Sequence, residues 1–316
     1  MKRIIADAHC DSLTKYPDNP FSGEGAQWRK DNFLSVGGDF QIFAIFTPPT
    51  MLGSDATAFA VRHCGSFSRQ HKSENVVFIK NKEDLETDGL KIMLSLEGAA
   101  PIQEDINLLY SFYDLGVRAM GLTWNHRNQL ADGIDNHYGL TSFGKVVIKE
   151  MEKMGMMIDV SHLNTAGFED VFNTVSCPIV ATHSNARSRR NHKRNLEDWQ
   201  IKEIIDRGGF IGLNFYTEFV NGINISKSID PLRARENSIT ALIGHAEHIL
   251  GLGGENVLGL GADFDGIEDG TYEDCLGYSD FLAKMEQALQ LSSNQIEKIS
   301  HLNLKRAVGQ CISPSL

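Results

Sequence analysis

The 316-residue chain has five cysteines, Cys10, Cys64, Cys177, Cys275 and Cys311, and no two of them are close in sequence. An odd count without close pairs argues against a disulfide framework and for free thiols, so a cytoplasmic location is expected. No apolar run approaches membrane-spanning length, and the first strand begins too early for a secretory leader ahead of it; neither an anchor nor export is expected. Positive charge is also short, because 30 Lys and Arg against 41 Asp and Glu leave a formal net charge of -11. That balance argues against nucleic acid or an anionic membrane as partner. The chain lacks a Gly-x-Gly-x-x-Gly turn after its first strand, which removes support for a dinucleotide-binding sheet. It also lacks repeats, low-complexity tracts and a Pro/Gly linker, so one domain over 1–316 is expected.

What is present is 41% hydrophobic residues, enough for a sizeable core, laid out as short apolar runs that alternate with amphipathic ones. Strands are expected at Ile4-Ile5, 40–46, 92–96, 119–123, 156–160, 178–182, 210–215 and 257–261. Helices are expected at 56–70, 106–115, 141–153, 198–206 and 238–250, with two more, 278–291 and 293–307, covering the outside or the base. Such alternation predicts parallel βαβ units with right-handed crossovers. Within the α/β class, the closed (β/α)8 TIM barrel is the economical architecture.

In that fold the chemistry sits at the carboxyl ends of the strands. The polar residues there are His9 and Asp11 after the first strand, Glu97 after the third, His162 after the fifth, His183 after the sixth and Asp263 after the eighth. Any one of them has a plain alternative as a loop cap or a solvated turn residue. Together, three imidazoles and three carboxylates at one mouth, with no thiolate, suit zinc or a similar divalent ion in a catalytic site. Six groups exceed what one tetrahedral zinc with an open position needs, and two ions sharing a carboxylate would use them, with Glu97 as the expected bridge and a hydroxide between the ions. Asp263 is suited to take the water proton and return it to a leaving amine, which makes it the candidate general acid/base.

The segments His9-x-Asp11, Glu97-Gly98, Asp159-Val160-Ser161-His162, Thr182-His183-Ser184, Arg194-Asn195 and Gly261-Ala262-Asp263-Phe264-Asp265-Gly266 together resemble the membrane (renal) dipeptidase family of zinc peptidases, over nearly the whole chain. The wider amidohydrolase-like superfamily more often shows His-x-His on strand one and a bridging lysine on strand four, and neither is found here. The resemblance implies two zinc ions (Zn2+) per chain, His9 and Asp11 on one, His162 and His183 on the other, with Glu97 and a water or hydroxide bridging both. It implies a dipeptidase acting on dipeptides with free ends, a D-residue at the C-terminal position among those accepted, with Asp263 also in contact with substrate. It places Arg194, in the otherwise solvated basic run 187–194, against the terminal carboxylate, which a guanidinium fork fits bidentately.

One position departs from the family. Its Leu-Thr-His after strand four is Leu122-Thr123-Trp124 here, followed by Asn125 and His126. Trp124 is read as a wall for a substrate side chain or as a packing residue, His126 as a candidate contact to the substrate carbonyl, and Tyr216 as a lining residue or a core tyrosine. Two other function classes stay open: another binuclear metal amidohydrolase, such as an N-acyl amino acid deacetylase or lactonase, and a non-catalytic metal-binding barrel. A homodimer is the assembly to test.

Overall fold

Apolar runs that end in polar, Gly or Pro residues build the central sheet. In the computed structural model, which describes residues 3–313, the strands are β1 (Ile5–Cys10), β2 (Gly38–Phe46), β3 (Val77–Phe78), β4 (Lys91–Glu97), β5 (Val117–Gly121), β6 (Met157–Asp159), β7 (Val180–Ala181), β8 (Phe210–Leu213) and β9 (Leu258–Leu260). The outermost ends of the expected domain, 1–2 and 314–316, lie outside the described residues. Every strand pairing is parallel; β1 pairs with β2 and β9, β2 also with β4, and β4 through β9 follow in order. Eight strands therefore close on themselves, with helices around them, as a (β/α)8 TIM barrel. The ninth, β3, lies beside the first half of β4, with Val77 opposite Lys91, before β5 joins at Leu94. A two-residue run is too short to stand out as a strand in sequence.

The strands are buried on both faces, which is why they read as apolar runs rather than as alternations. Ala6, Ala8, Phe40, Ile42, Met93, Ala119, Met157, Val180 and Phe210 fill the barrel interior. The C-terminal helix Asn303–Cys311 closes its base with Leu304, Ala307 and Val308. Arg306 fastens that helix by donating to the carbonyls of Gly208, Gly209 and Asn256, just ahead of β8 and β9. The opposite end, where the strands finish, is left for chemistry. Two helices differ from expectation. The one expected at 238–250 starts at Pro231, because the Asp230 side chain accepts from Arg233 N and proline suits the first turn. The last one is broken by a π-helical turn over Lys298–Leu302.

Strand β1 does not keep a plain alternation. Asp7 pairs with Gln41 and Cys10 with Phe43, so β1 uses one residue more than β2 between those pairs, a bulge. Below it Ala6 and Ala8 face the interior; above it His9 turns towards the centre of the mouth and Cys10 packs in the outer core. Asp7 holds the bulge from outside the barrel. Its carboxylate accepts from His9 N at 2.9 Å, Gln41 Nε2 at 2.8 Å and Ala262 N at 2.8 Å, joining β1 to β2 and to the end of β9. Ile4, expected as part of the strand, is exposed and precedes it.

Candidate metal centre

The strand ends bring His9, Asp11, Glu97, His162, His183 and Asp263 together, all buried. Ligand atoms of His9, Asp11 and Glu97 lie within 4.8 Å of one another, and so do those of Glu97, His162 and His183. Glu97 belongs to both sets through different oxygens: Oε1 is 2.9 Å from His162 Nε2, and Oε2 is 3.5 Å from His9 Nε2. Asp11 Oδ2 is 3.5 Å from the same His9 nitrogen, and Asp263 Oδ1 is 3.9 Å from it.

The imidazoles are aimed from behind. His183 Nδ1 lies 2.9 Å from Thr182 Oγ1 and His9 Nδ1 lies 3.4 Å from the same oxygen, while the Thr182 hydroxyl donates to the Asp159 carboxylate. A hydroxyl whose proton is given to Asp159 can only accept from the two rings, so both carry their proton on Nδ1 and turn Nε2 to the mouth. His162 is fixed the same way by Asn125, whose Oδ1 is 2.8 Å from its Nδ1. Asp159 also accepts from Ser161 N and Thr182 N, which ties the ends of β6 and β7 together. Backbone strain accompanies this aim, because His162, Asp263 and Asp265 have φ of 65°, 66° and 68°, a left-handed region that costs such residues about 1–3 kcal/mol each.

The donor set fits divalent cations. His9 Nε2 and Asp11 Oδ1 are buried without a hydrogen-bond partner, and such atoms are expensive unless something coordinates them. Nitrogen and carboxylate oxygen with no thiolate is a donor set that zinc accepts, and Cys10 lies in the outer core. Electrostatics agree. Burial would lower the pKa of His9, but Glu97 and Asp11 outweigh it and hold His9 well above the ordinary histidine value. Burial pushes His162 down to about 4, the charge of Arg194 adding to it, and pushes His183 well below the ordinary value. Asp263 is raised by burial and, beyond that, by its neighbours Asp11 and Glu97. The cluster thus gathers three carboxylates, keeps two rings neutral and draws positive charge to its His9 side.

A cavity of about 540 Å³ opens over these groups, lined among others by Asp11, Glu97, His162, Asp263, Trp124 and Tyr216. Arg194 is buried beside it, with one guanidinium nitrogen 3.2 Å from His183 O, another 3.4 Å from Ser184 Oγ, and its Cζ 5.3 Å from the centre of the Phe219 ring. His126 is not brought to this cavity. It is exposed, pairs with Asp135 at 3.3 Å and lines a neighbouring one, because the chain turns outward after Asn125. Sequence reasoning gave no role to Asn125, Thr182 or Asn214. Thr182 and Asn214 stand at strand ends beside residues it did use, and Asn214 Nδ2 donates to Asp263 Oδ2 at 2.9 Å. Asp265 accepts from Ser12 Oγ, Gln27 N and Trp28 N, binding the loop after β9 to the segment after β1.

The chain is similar to known dipeptidases. A dipeptidase of Schizosaccharomyces pombe, itself uncharacterized, is 30% identical over 225 residues, 69% of this chain and 52% of that one, so the match spans about half of that relative. The crystal structure of a metallo peptidase of family M19, dipeptidase AC, superposes with a TM-score of 0.89 at 26% identity, covering 98% of this chain and 99% of that one. A metallo peptidase from Rhodobacter sphaeroides, liganded with a phosphinate mimic of the dipeptide L-Ala-D-Ala, superposes with a TM-score of 0.88 at 26% identity over 98% of this chain and 100% of that one. The model of the membrane dipeptidase family, Peptidase family M19, matches residues 2–313, and the chain belongs to that family as a metallo-dipeptidase.

Proposed function

We propose that the chain hydrolyses dipeptides with two zinc ions, His9 and Asp11 holding one, His162 and His183 the other, and Glu97 both. The observation that carries this reading is the division of Glu97, one oxygen towards His162 and the other towards His9. When bound, the two ions would lower the pKa of water for attack at neutral pH and polarise the scissile carbonyl. Asp263 manages the proton. One of its oxygens is held by Asn214 Nδ2, the other is directed at the cluster, and its raised pKa lets it take a proton from the attacking water and return it to the leaving amine.

Arg194 takes the terminal carboxylate of the substrate. Its Nε is buried without a hydrogen-bond partner, and its position beside the cavity suits a group one residue beyond the scissile bond. The phosphinate bound by the Rhodobacter relative mimics a dipeptide with a D-residue at its C-terminus. Acceptance of L,D-dipeptides here follows that likeness. Among the described residues no helix is long and apolar enough to cross a membrane.

Metal analysis together with a hydrolysis screen over L,L- and L,D-dipeptides, with N-acetylated controls, tests the reading. Close to two zinc ions per chain and cleavage that requires a free amine are expected. Two bound zinc ions with no hydrolysis of any dipeptide would sink it, and cleavage of N-acetyl amino acids instead would make the chain a deacetylase.

A further inference from the structure

Beside the catalytic cavity lies a second one of about 590 Å³, and among the described residues Trp124 is the one that lines both. The partition runs along three strand ends. Phe46, Glu97 and Asn125 face the catalytic cavity, while Thr47, Gly98 and His126, each the next residue in the chain, face its neighbour. Above that backbone stands the half-buried indole, with ring contacts to Phe46 at 5.2 Å, His126 at 5.5 Å and His162 at 6.1 Å. Gly98 keeps the partition thin, since its φ is +87° and a Cβ there would come within 3.4 Å of Trp124 N.

The two cavities have a definite order relative to a bound peptide. Arg194 follows β7, whereas the second cavity lies beyond β2, β4 and β5, of which β2 stands directly opposite β7 in the closed ring. A substrate with its carboxylate at Arg194 and its scissile bond over the cluster has Trp124 in the wall that faces its amino end. The space behind the indole is of ligand-binding size and has Met51 and Leu52 for an apolar side chain and Gln103 and Glu104 for polar groups of a peptide.

We infer that Trp124 sets the length of peptide the enzyme accepts, by closing the catalytic cavity against this second cavity, which would otherwise receive the amino-terminal residue of a tripeptide. The inference rests on the dipeptidase reading and on the carboxylate lying at Arg194. With the indole shortened, one water would add across the last peptide bond of a tripeptide, its OH to the carbonyl and its proton to the amine, releasing a dipeptide and the C-terminal amino acid.

The test compares Ala-Ala and Ala-Ala-Ala as substrates of the zinc-loaded wild type, Trp124→Ala, Trp124→Leu and Trp124→Phe. The ratio of kcat/KM for tripeptide over dipeptide should rise at least tenfold in the alanine and leucine variants, with alanine released from the carboxyl end, and stay near wild type in the phenylalanine variant. A crystal of Trp124→Ala with a tripeptide phosphinate should show its first residue in the second cavity. An unchanged ratio in a folded, zinc-replete Trp124→Ala or Trp124→Leu overturns the inference while dipeptide hydrolysis by the wild type preserves the dipeptidase reading. A wild type inert towards every dipeptide removes both.

Discussion

The one hydroxyl of Thr182 serves the rings of His9 and His183 and the carboxylate of Asp159, with Ser161 Oγ a further 3.4 Å contact. It links both sets of histidines from behind, as Glu97 does in front. Thr182→Val keeps the shape and removes the oxygen, leaving two buried Nδ1–H groups without an acceptor, at about 1–3 kcal/mol each. Loss of the outer partner of a ligating histidine typically weakens metal binding about 10–100-fold. Zinc affinity of Thr182→Val, measured by competition with a chromogenic chelator, is therefore expected to fall at both positions. Asn125→Leu should weaken only the ion proposed for His162 and His183, since the Asn125 side chain contacts the His162 ring. Equal weakening of both ions in Asn125→Leu, or none in Thr182→Val, would show that the rings are held by their surroundings and not by these hydrogen bonds.

At the scale of elements, the centre is a meeting of the β1 bulge with the loop that follows β9. The loop adds Asp11 N to Phe264 O at 2.8 Å and Asp263 N to His9 O at 3.1 Å, so the two chains run side by side past the end of the barrel. Gly266 passes so close that a Cβ there would lie 2.3 Å from Asp11 Oδ2 and 2.6 Å from Asp263 Oδ1. Gly266→Ala must displace both carboxylates. Zinc analysis of the folded variant should show the ion proposed for His9 and Asp11 lost and about one ion per chain kept at the site proposed on His162 and His183; two tightly held ions would refute the crowding argument. The strands that carry these groups were legible in sequence, because parallel strands covered on both faces are apolar runs and their polar ends mark the mouth. That His9, Asp11, Glu97, His162 and His183 converge at one mouth could be read for the same reason. The bulge could not, since an extra residue in Asp7-Ala8-His9-Cys10 changes which side chains face inward without changing composition. Nor could the loop after β5, where neighbours Asn125 and His126 end in different cavities; its path is set by packing of Trp124 on Phe46 and by the Asn125 contact to His162.

For the whole molecule, the mouth must stay assembled from segments far apart in the chain, and one buried histidine outside the centre takes part. His245 lies on the long helix Pro231–Gly251, where its Nδ1 accepts from Ala186 N at 3.1 Å and its Nε2–H donates to Val220 O at 2.9 Å. It thereby joins the loop that carries Arg194 to the short helix Thr217–Val220 beside the cavity. Burial pushes its pKa down to about 4, and the nearby charge of Arg189 lowers it too, whereas the unfolded chain titrates near the ordinary value of 6.5. The sign follows from proton binding: between these values the unfolded state binds a proton that the folded state refuses, so stability is whole above pH 6.5 and falls as pH drops towards 4. A shift of this size corresponds to about 3 kcal/mol. Because acid also strips zinc from histidine and carboxylate ligands, the measurement belongs in the presence of excess chelator, where urea denaturation from pH 8 to pH 4 isolates the protein's own titration. His245→Gln keeps an amide to bond Val220 O and cannot titrate. It should be less stable than wild type at pH 8 yet lose less stability on acidification, and the two curves should converge towards pH 4. Parallel curves for the two proteins across that range would mean that other groups carry the acid sensitivity and that His245 serves only as a neutral strut.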